Sequence, residues 1–392
     1  MKYNFDEPIE RRGSNSYKWD SNGDASVLPL WVADMDFRTA PVVVEALNRR
    51  VAHGVFGYTH VPQDYYDAVV RWFGTYHNWH FPAEWIQYTT GVVPALSAII
   101  KALTHKGEKV LVLTPVYNCF FSSIRNNGCR MVESRLVCNN WGYSVDYNDL
   151  EEKASDPDVR ILLFCNPHNP GGRVWLPDEL VKIGRICQRH GVRIVSDEIH
   201  GELVFPGHTY VPFASVSEDL AHQVITCTSP SKAFNTAGLQ IANIVCSDAD
   251  VRRLIDRAIN DNEVCDVNSF GIEALMAAYS DEGHEWLEAL LMYLKGNYDF
   301  LRETFETELP EFSVMPLEGT YLAWVDCKVL PHDSEQIEAS LLEREKVRIN
   351  AGSMYGTAGE HFIRINMACP RSRLEEGLRR IVKGLRRLRS EG

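Results

Sequence analysis

A lysine among small and hydroxylated residues is the first candidate for chemistry in this chain. Lys232 lies in the run 229–235 (SPSKAFN), directly after the apolar run 224–227 (VITC). A lysine at the end of a buried strand is unusual, because burying an ammonium group is costly unless its charge is paired or lost. One use that removes the charge is a Schiff base with an aldehyde cofactor. The alternative is a surface lysine in a polar loop, and this stretch alone favours that alternative.

Two further polar clusters follow strand-like runs. The first is 166–172 (NPHNPGG), after Arg160–Cys165, and the second is 197–200 (DEIH), after Val192–Ser196. In open parallel α/β sheets, ligands bind beyond the carboxyl ends of the strands. We therefore expect these two clusters and the Lys232 loop to form one shared site.

The chain also offers the other groups that a pyridoxal phosphate enzyme needs. Such an enzyme requires a carboxylate near the pyridine nitrogen, donors around the phosphate, an aromatic face against the ring and an arginine for the substrate carboxylate. The candidates are Asp197, 35 residues before Lys232, the helix start at Thr90–Pro94, Tyr117, and Arg364 within the apolar run 362–366. Each has an ordinary alternative: a cap, a turn, a packed ring or an internal ion pair.

Composition and charge exclude several functional classes. The chain has 392 residues, a net charge of −13 and 45% apolar residues, so it is expected to be a soluble globular protein with a large core. The acidic balance argues against nucleic acid or an anionic membrane as the main partner. We find no secretory signal, no run near the roughly 20 apolar residues needed to span a bilayer, and no metal-binding cluster. The ten scattered cysteines are interpreted as reduced residues of a cytoplasmic protein.

The middle of the chain alternates strand and helix signals. Buried strands are predicted at Glu108–Thr114, Arg160–Cys165, Val192–Ser196 and Val224–Thr228, and a helix is predicted to start at Leu176-Pro177 and to end at Gly191. This alternation predicts an α/β fold with a largely parallel sheet.

A different pattern begins near residue 285, where long amphipathic helices alternate with short strands such as Thr320–Val325. We therefore predict a large cofactor-binding domain over 45–284 and a smaller α+β domain formed by 1–44 and 285–392. The basic segment from Arg379 to Arg389 is expected to be a helix with a solvated face.

Taken together, these motifs resemble the fold-type I pyridoxal phosphate superfamily, the aspartate aminotransferase-like group, in order and spacing over nearly the whole chain. The runs 30–37 (LWVADMDF), 56–58 (FGY), 165–171 (CNPHNPG) and 197–200 (DEIH) are similar to its bacterial C–S lyase branch, which contains cystathionine β-lyases and cysteine desulfhydrases. The resemblance implies an aspartate aminotransferase-like fold whose large domain holds a mostly parallel seven-stranded sheet.

The resemblance also implies residue roles around pyridoxal 5'-phosphate. Lys232 would hold the cofactor and move the substrate α-proton, and Asp197 would pair with its pyridinium nitrogen. Arg364 would grip the substrate α-carboxylate. Tyr58 would reach the phosphate of the neighbouring subunit in a homodimer. Tyr58 and Tyr117 are also implied as catalytic groups, and Trp31 and Asn166 as substrate-binding ones. The other implied cofactor ligands are Gly91, Val92, Val93, Tyr117, Asn166, His200 and Ser229. A core position is the alternative for Trp31.

Two departures from the aminotransferase pattern are similar to the lyase branch. His200 replaces the tyrosine that many aminotransferases carry three residues after the aspartate. The run 237–240 (AGLQ) lacks the phosphate-binding arginine that many carry shortly after the lysine.

The leading functional hypothesis is α,β-elimination on cystathionine or a related S-substituted L-cysteine, which yields a thiol, pyruvate and ammonia. An aminotransferase is the second hypothesis, because it uses the same lysine, aspartate and arginine. A third is a lyase that also binds a regulatory protein partner, although no residue here indicates a partner surface.

Overall fold

The computed structural model describes residues 2–139 and 142–391. These residues form fifteen strands, numbered in chain order: β1 Leu28–Pro29, β2 Ile86–Thr89, β3 Lys109–Thr114, β4 Arg130–Arg135, β5 Val137–Asn139, β6 Gly142–Ser144, β7 Val159–Cys165, β8 Arg193–Asp197, β9 Val224–Thr228, β10 Ala242–Cys246, β11 Ser313–Val314, β12 Leu322–Asp326, β13 Val347–Arg348, β14 Asn350–Ala351 and β15 Phe362–Asn366.

The same part of the chain forms thirteen α-helices, also numbered in chain order. They are α1 Tyr17–Asp20, α2 Pro41–His53, α3 Gln63–His77, α4 Val92–Leu103, α5 Cys119–Asn126, α6 Tyr147–Ala154, α7 Pro177–Arg189, α8 Glu218–Ala221, α9 Ala249–Asp261, α10 Ser269–Ala278, α11 Asp281–Glu308, α12 Ser334–Glu345 and α13 Arg371–Glu391.

A seven-stranded sheet in the order β2-β10-β9-β8-β7-β3-β4 forms the centre of the molecule. The five strands from β9 to β4 pair in parallel, and only β10 runs antiparallel to its neighbours. Side chains alternate across the sheet: Ile161 and Leu163 pack toward α4 and α9, whereas Leu162 and Phe164 pack into the core of the opposite face. The predicted mostly parallel α/β sheet is confirmed.

The predicted central elements are present with small differences at their ends. The four predicted strands correspond to β3, β7, β8 and β9, and the predicted helix is α7. The helix ends at Arg189, and Gly191 follows in the left-handed conformation with φ +68°. The strand predicted from Thr320 begins only at Leu322, because Thr320 itself has φ +71° and cannot continue an extended strand.

A second, antiparallel sheet in the order β11-β12-β15-β14 lies in the C-terminal part of the chain. The N-terminal strand β1 reaches this part of the chain and pairs with β13. The division into 45–284 and the combined 1–44 and 285–392 stays a prediction.

Several other expectations concern surface and core composition. All ten cysteines are free thiols, and Cys165, Cys227 and Cys246 are buried. The predicted basic helix is α13, and its cations Lys383 and Arg386 pair with Glu345 and Glu308 at 2.9 and 2.5 Å. Among the described helices, none is both long and apolar enough to cross a membrane.

The segment 31–37, between β1 and α2, connects the two sheets through its backbone. Asn235, three residues after Lys232, accepts a hydrogen bond from the Met35 amide at 3.0 Å and donates to the Met35 and Phe37 carbonyls at 2.9 and 2.8 Å. Asn366, at the end of β15, donates to the Asp34 carbonyl at 2.7 Å. Side chains from the loop after β9 and from β15 therefore position this segment.

A buried charge cluster anchors the same segment from the N-terminal side. The Asp36 carboxylate, 1% exposed, accepts from Lys18 at 3.2 Å, from the Trp19 indole at 2.8 Å and from Arg11 at 2.7 Å. Burial alone would raise the pKa of Asp36, but the charge of Lys18 and the donors Trp19 and Arg11 lower it overall. Asp36 is thus ionised and paired inside the protein.

We predict that Asp36→Asn lowers the free energy of unfolding by about 3–5 kcal/mol, because it leaves the buried Lys18 ammonium without its closest carboxylate. Urea denaturation at neutral pH measures this change. Glu7→Gln is the matched control, since Glu7 forms an exposed pair with Arg38, and its effect on the free energy of unfolding should be much smaller because water screens the pair. Equal effects of the two substitutions would contradict the anchoring role of Asp36.

Candidate active site

A cavity of about 290 Å³ lies at the carboxyl ends of β7, β8 and β9 and at the N-terminus of α4. The strand-end clusters therefore meet at one place, as the shared-site hypothesis predicts. The residues that line the cavity are Ala33, Thr90, Gly91, Val92, Val93, Pro94, Tyr117, Cys165, Asn169, Asp197, Ile199, His200, Ser231, Lys232, Ala237, Gln240 and Ile241.

Seven of the predicted site residues are in this lining and five are not. Those in the lining are Gly91, Val92, Val93, Tyr117, Asp197, His200 and Lys232. Those outside it are Trp31, Tyr58, Asn166, Ser229 and Arg364.

Lys232 follows β9 and points its amine toward the 31–37 segment. Its Nζ donates a hydrogen bond to the Ala33 carbonyl at 2.6 Å. Burial and the nearby positive charge of Arg364 lower the pKa of Lys232, against the opposing effects of Asp34 and Asp197. A lowered pKa increases the fraction of neutral amine near pH 7, and this is the form that can act as a nucleophile or a base.

Asp197 is the last residue of β8, and its side chain is buried, with 3% exposed. Its carboxylate accepts a hydrogen bond from the Ile199 amide at 3.2 Å, and it forms no ion pair with any described residue. Burial raises the pKa of Asp197 to about 7, although the Ile199 amide and Lys232 oppose the rise. A buried carboxyl group in this state is stabilised by a cationic partner.

The N-terminus of α4 forms the opposite side of the cavity. Its N-cap is Gly91, and no side chain accepts a hydrogen bond from the first turn. The free amides of Val92 and Val93, together with the positive end of the helix dipole, favour an anion such as a phosphate. Gln240 lines the cavity and carries no charge. Among the described residues, no arginine is in the lining.

Two rings in the lining are uncharged at neutral pH. Burial is the main cause that lowers the pKa of His200 to about 3, and the positive charges of Lys232 and Arg364 contribute in the same direction. Its Nδ1 is buried and has no hydrogen-bond partner. Burial also raises the pKa of Tyr117 well above its ordinary value. Both rings can thus contact a bound ring or donate a hydrogen bond without adding charge to the cavity.

The role predicted for Asn166 stays a prediction. Asn166 is buried directly after Cys165, the last residue of β7, and it is not among the residues that line the cavity. Its Nδ2 donates to Glu198 at 3.3 Å and to the Val211 carbonyl at 3.0 Å, while its Oδ1 is buried without a hydrogen-bond partner. Asn169, three residues later in the same motif, lines the cavity.

Arg364 is buried on β15, with 4% exposed, and it contacts the cavity wall through Asn169. Its Nη1 donates to Asn169 Oδ1 at 3.1 Å, and its Nη2 donates to the Trp31 carbonyl at 3.0 Å. Its Nε has no acceptor, and no carboxylate among the described residues pairs with it. A buried guanidinium held only by neutral oxygens is a receptor for an anion from outside the chain.

The remaining three predicted residues have different surroundings. The Ser229 hydroxyl is buried and donates to the Ile241 carbonyl at 2.6 Å, while its neighbour Ser231 lines the cavity. The Trp31 indole is buried and donates to the Lys18 carbonyl at 3.2 Å. Tyr58 is fully exposed and lies outside the cavity of its own chain.

Sequence reasoning missed Ala33, Asn169 and Ser231. Asn169 and Ser231 stand inside motifs that had already been singled out, so membership of those motifs was the usable signal. Ala33 acts through its backbone carbonyl, for which an alanine carries no sequence signal.

The donor set fits the cofactor that the resemblance implies. The helix end at Gly91–Val93 suits a phosphate, the buried Asp197 carboxyl suits a protonated ring nitrogen, and the Lys232 amine suits an aldehyde. The unpaired Nδ1 of His200 is a further buried polar atom at the same cavity.

Comparisons with known proteins agree with this geometry. The family model for aminotransferase class I and II matches residues 25–381. Cystathionine beta-lyase PatB from Bacillus subtilis (strain 168) is 40% identical over 386 residues, covering 97% of this chain and 100% of the relative. The structure of cystalysin from Treponema denticola, which contains a pyridoxal 5'-phosphate cofactor, has a TM-score of 0.95 and 35% identity and covers 99% of this chain and 100% of that one. The PLP-bound C-S lyase from Staphylococcus hominis has a TM-score of 0.91 and 33% identity and covers 98% of this chain and 99% of that one.

We predict that Asp197→Asn stabilises protein prepared free of cofactor, and that the gain grows with pH. Because the pKa of Asp197 in the fold is about 7 instead of 3.8, folded wild type binds this proton more tightly than the unfolded chain does. Wild-type stability therefore falls as pH rises from about 4 to about 7. The variant, which has no such proton, should be more stable by up to about 4 kcal/mol above pH 7. Urea denaturation at pH 5 and pH 8 measures the difference, and a gain that does not depend on pH would contradict the raised pKa.

Proposed function

Because this chain belongs to the aminotransferase class I and II family, we propose that it is a pyridoxal phosphate-dependent carbon–sulfur β-lyase. Its reaction is α,β-elimination on an S-substituted L-cysteine, with cystathionine as the first candidate, and its products are a thiol, pyruvate and ammonia. The choice of lyase over aminotransferase rests on the full-length identity of 40% with a cystathionine beta-lyase.

One observation carries the assignment of the chemistry to this site. The amine of Lys232, the buried carboxyl of Asp197 and the uncapped N-terminus of α4 meet at a single cavity, while the guanidinium of Arg364 lies one hydrogen bond behind its wall. None of the three charged groups forms an ion pair with a described residue, and the helix end has no side-chain cap. Together the four match the functional groups of the cofactor and of an amino acid.

The cofactor is pyridoxal 5'-phosphate, and the chemistry it supplies when bound is an electron sink for the bond that breaks at the substrate Cα. The amides at the start of α4 would hold its phosphate, Asp197 would face its ring nitrogen and Lys232 would hold its aldehyde carbon. Tyr117 and His200 would contact the ring from the cavity wall.

Arg364 orients the substrate. Its planar guanidinium matches a carboxylate, and its burial strengthens the interaction relative to water. Asn169 and the Trp31 carbonyl fix the direction of the two terminal nitrogens. The substrate α-carboxylate is therefore held at a defined place relative to Lys232.

Lys232 moves the proton. Its lowered pKa leaves the Nζ atom able to accept a proton from the substrate Cα near neutral pH. The uncharged His200 places no second cation beside it, and the carboxylate of Asp197 favours positive charge on the ring nitrogen.

We predict that the purified protein with pyridoxal 5'-phosphate releases pyruvate from L-cystathionine without any added 2-oxo acid. Lys232→Ala should lower the rate at least about a thousandfold and remove the absorption band of the covalently held cofactor, because the residue provides both the attachment and the base. Pyruvate release and the absorption spectrum are the two measurements.

Lys153→Ala is the matched control, since Lys153 lies on α6 and pairs with Asp149 and Glu152 at the surface. It should leave both the rate and the spectrum unchanged. Stoichiometric consumption of an added 2-oxo acid with negligible pyruvate would show that the protein is an aminotransferase and not a lyase.

We also propose that the active unit is a homodimer in which Tyr58 completes the cofactor phosphate site of the other subunit. The support is an exposed stretch around Tyr58, in which Val55 and Phe56 are 63% and 56% exposed. The ring centres of Phe56 and Phe270 lie 5.5 Å apart. Apolar side chains exposed together in this way are typical of an interface. A donor from a second subunit would also compensate for the missing phosphate arginine.

A hybrid dimer tests this role. Lys232→Ala and Tyr58→Ala chains with different tags are co-expressed, and the hybrid is isolated with both tags. Each parent variant should be strongly impaired, whereas the hybrid contains one site with an intact Lys232 and a Tyr58 from the other subunit, so it should recover about half of the wild-type activity. Failure to isolate a hybrid, or a hybrid as inactive as its parents, would contradict the shared site.

A further inference from the structure

The carbonyl oxygen of Ala33 accepts hydrogen bonds from two side chains. Lys232 Nζ donates to it at 2.6 Å, and the Tyr321 hydroxyl donates to it at 3.0 Å. A backbone carbonyl has two acceptor lone pairs, so these two donors complete it. Ala33 and Lys232 line the cavity, whereas Tyr321 is not in the lining.

Tyr321 is held firmly in this place. It is completely buried, one residue before β12, and its own carbonyl accepts a hydrogen bond from the Met367 amide at 3.0 Å. Its ring packs edge-on against the ring of His200, with 6.1 Å between the ring centres and an angle of 75°. Tyr321 therefore contacts both a backbone acceptor and a ring of the cavity wall.

The residue before Tyr321 has a strained backbone. Thr320 has φ +71°, which is rare for a β-branched residue and costs free energy that the surrounding contacts must offset. Its amide donates to the Leu203 carbonyl at 2.6 Å, and its Oγ1 accepts from the Leu322 amide at 3.2 Å. Strain is thus retained directly beside the residue that contacts Ala33, and strain of this kind is typical of functional positions.

The two donors to Ala33 differ in what a bound aldehyde does to them. When the neutral amine of Lys232 condenses with an aldehyde, a C=N bond replaces the C=O bond, and the oxygen leaves as water with both hydrogens of the amine. The nitrogen of a neutral C=N bond has no hydrogen to donate. The Tyr321 hydroxyl takes no part in this step, and burial raises the pKa of Tyr321, so the hydroxyl stays a donor.

We propose that Tyr321 is a positioning residue for Lys232, which keeps the Ala33 carbonyl hydrogen-bonded while the amine is attached to the cofactor and preserves it as the acceptor to which the released amine returns. This inference rests on the proposed pyridoxal phosphate-dependent function. An amine that donates one N–H to a fixed carbonyl keeps its lone pair for the substrate α-proton. Without the Tyr321 hydroxyl, attachment of Lys232 leaves a buried carbonyl with no donor.

The test compares two forms of the cofactor, of which only one can bond to Lys232. Pyridoxal 5'-phosphate carries an aldehyde, whereas pyridoxamine 5'-phosphate carries an amine and leaves Lys232 free to donate to Ala33. Tyr321→Phe should weaken binding of the aldehyde form about tenfold, because only the covalent state then contains an unsatisfied carbonyl. The dissociation constant of the amine form should stay nearly unchanged. Titration of cofactor-free protein, followed by absorption and by tryptophan fluorescence, gives both constants.

Tyr298→Phe is the matched control. Tyr298 is also buried, its hydroxyl also donates to a backbone carbonyl, that of Met315 at 3.2 Å, and it is not in the cavity lining. This substitution should leave both dissociation constants unchanged.

A second pair of chains carries Lys232→Met, which keeps a long side chain of similar size but has no amine. In this background neither form of the cofactor can bond to the side chain at position 232. Tyr321→Phe should therefore no longer change the ratio of the two dissociation constants, and a change as large as that in wild type would show that the hydroxyl does not act through Lys232.

The remaining outcomes separate this inference from the proposed function. Equal losses of affinity for the two forms, misfolding included, would show that Tyr321 supports only the fold, and unchanged affinity for both would also overturn its role at Lys232. A wild-type protein that binds neither form, or that develops no absorption band with pyridoxal 5'-phosphate, would overturn the cofactor site and this inference with it.

Discussion

The hydrogen bonds that side chains donate to the backbone carbonyls of the 31–37 segment are the constraint on which the site depends. Trp31 accepts from Arg364, Ala33 from Lys232 and Met35 from Asn235. Lys232 and Asn235 come from the loop after β9 and Arg364 comes from β15, and carbonyl oxygens on one short segment fix their relative positions. The buried Asp36 cluster then anchors the segment itself, so the geometry of the site is linked to an ion cluster outside the cavity.

Unmatched polarity is the second property that defines the site. Away from the cavity, the buried carboxylates of Glu345 and Asp36 lie beside the cations Lys383 and Lys18. At the cavity, by contrast, Asp197 and Arg364 are buried without a counter-charge from the described residues. Such groups are costly unless a ligand completes them, and the cost is what makes them selective for a particular ligand. The raised pKa of Asp197 and the lowered pKa of Lys232 are direct consequences of this arrangement.

Trp31 takes part in two interactions of cationic side chains. Its carbonyl accepts a hydrogen bond from Arg364, and its ring lies under the guanidinium of Arg348. Specificity within a shared fold is expected to arise outside the reacting centre, because the residues at that centre are common to several reactions.

The sequence by itself determined the fold class, the order of the central strands and helices, and the clustering of Asp197, Lys232 and the α4 N-terminus, because alternating strands and helices bring the carboxyl ends of parallel strands to one edge. It also identified Arg364 as a buried cation within an apolar strand. Only the tertiary structure showed that Asn169 lines the cavity and contacts Arg364, since the path of the chain after β7 cannot be inferred from the spacing of the motif. The structure likewise revealed Ala33, because a backbone acceptor is a property of three-dimensional neighbours and leaves no pattern in the residues themselves.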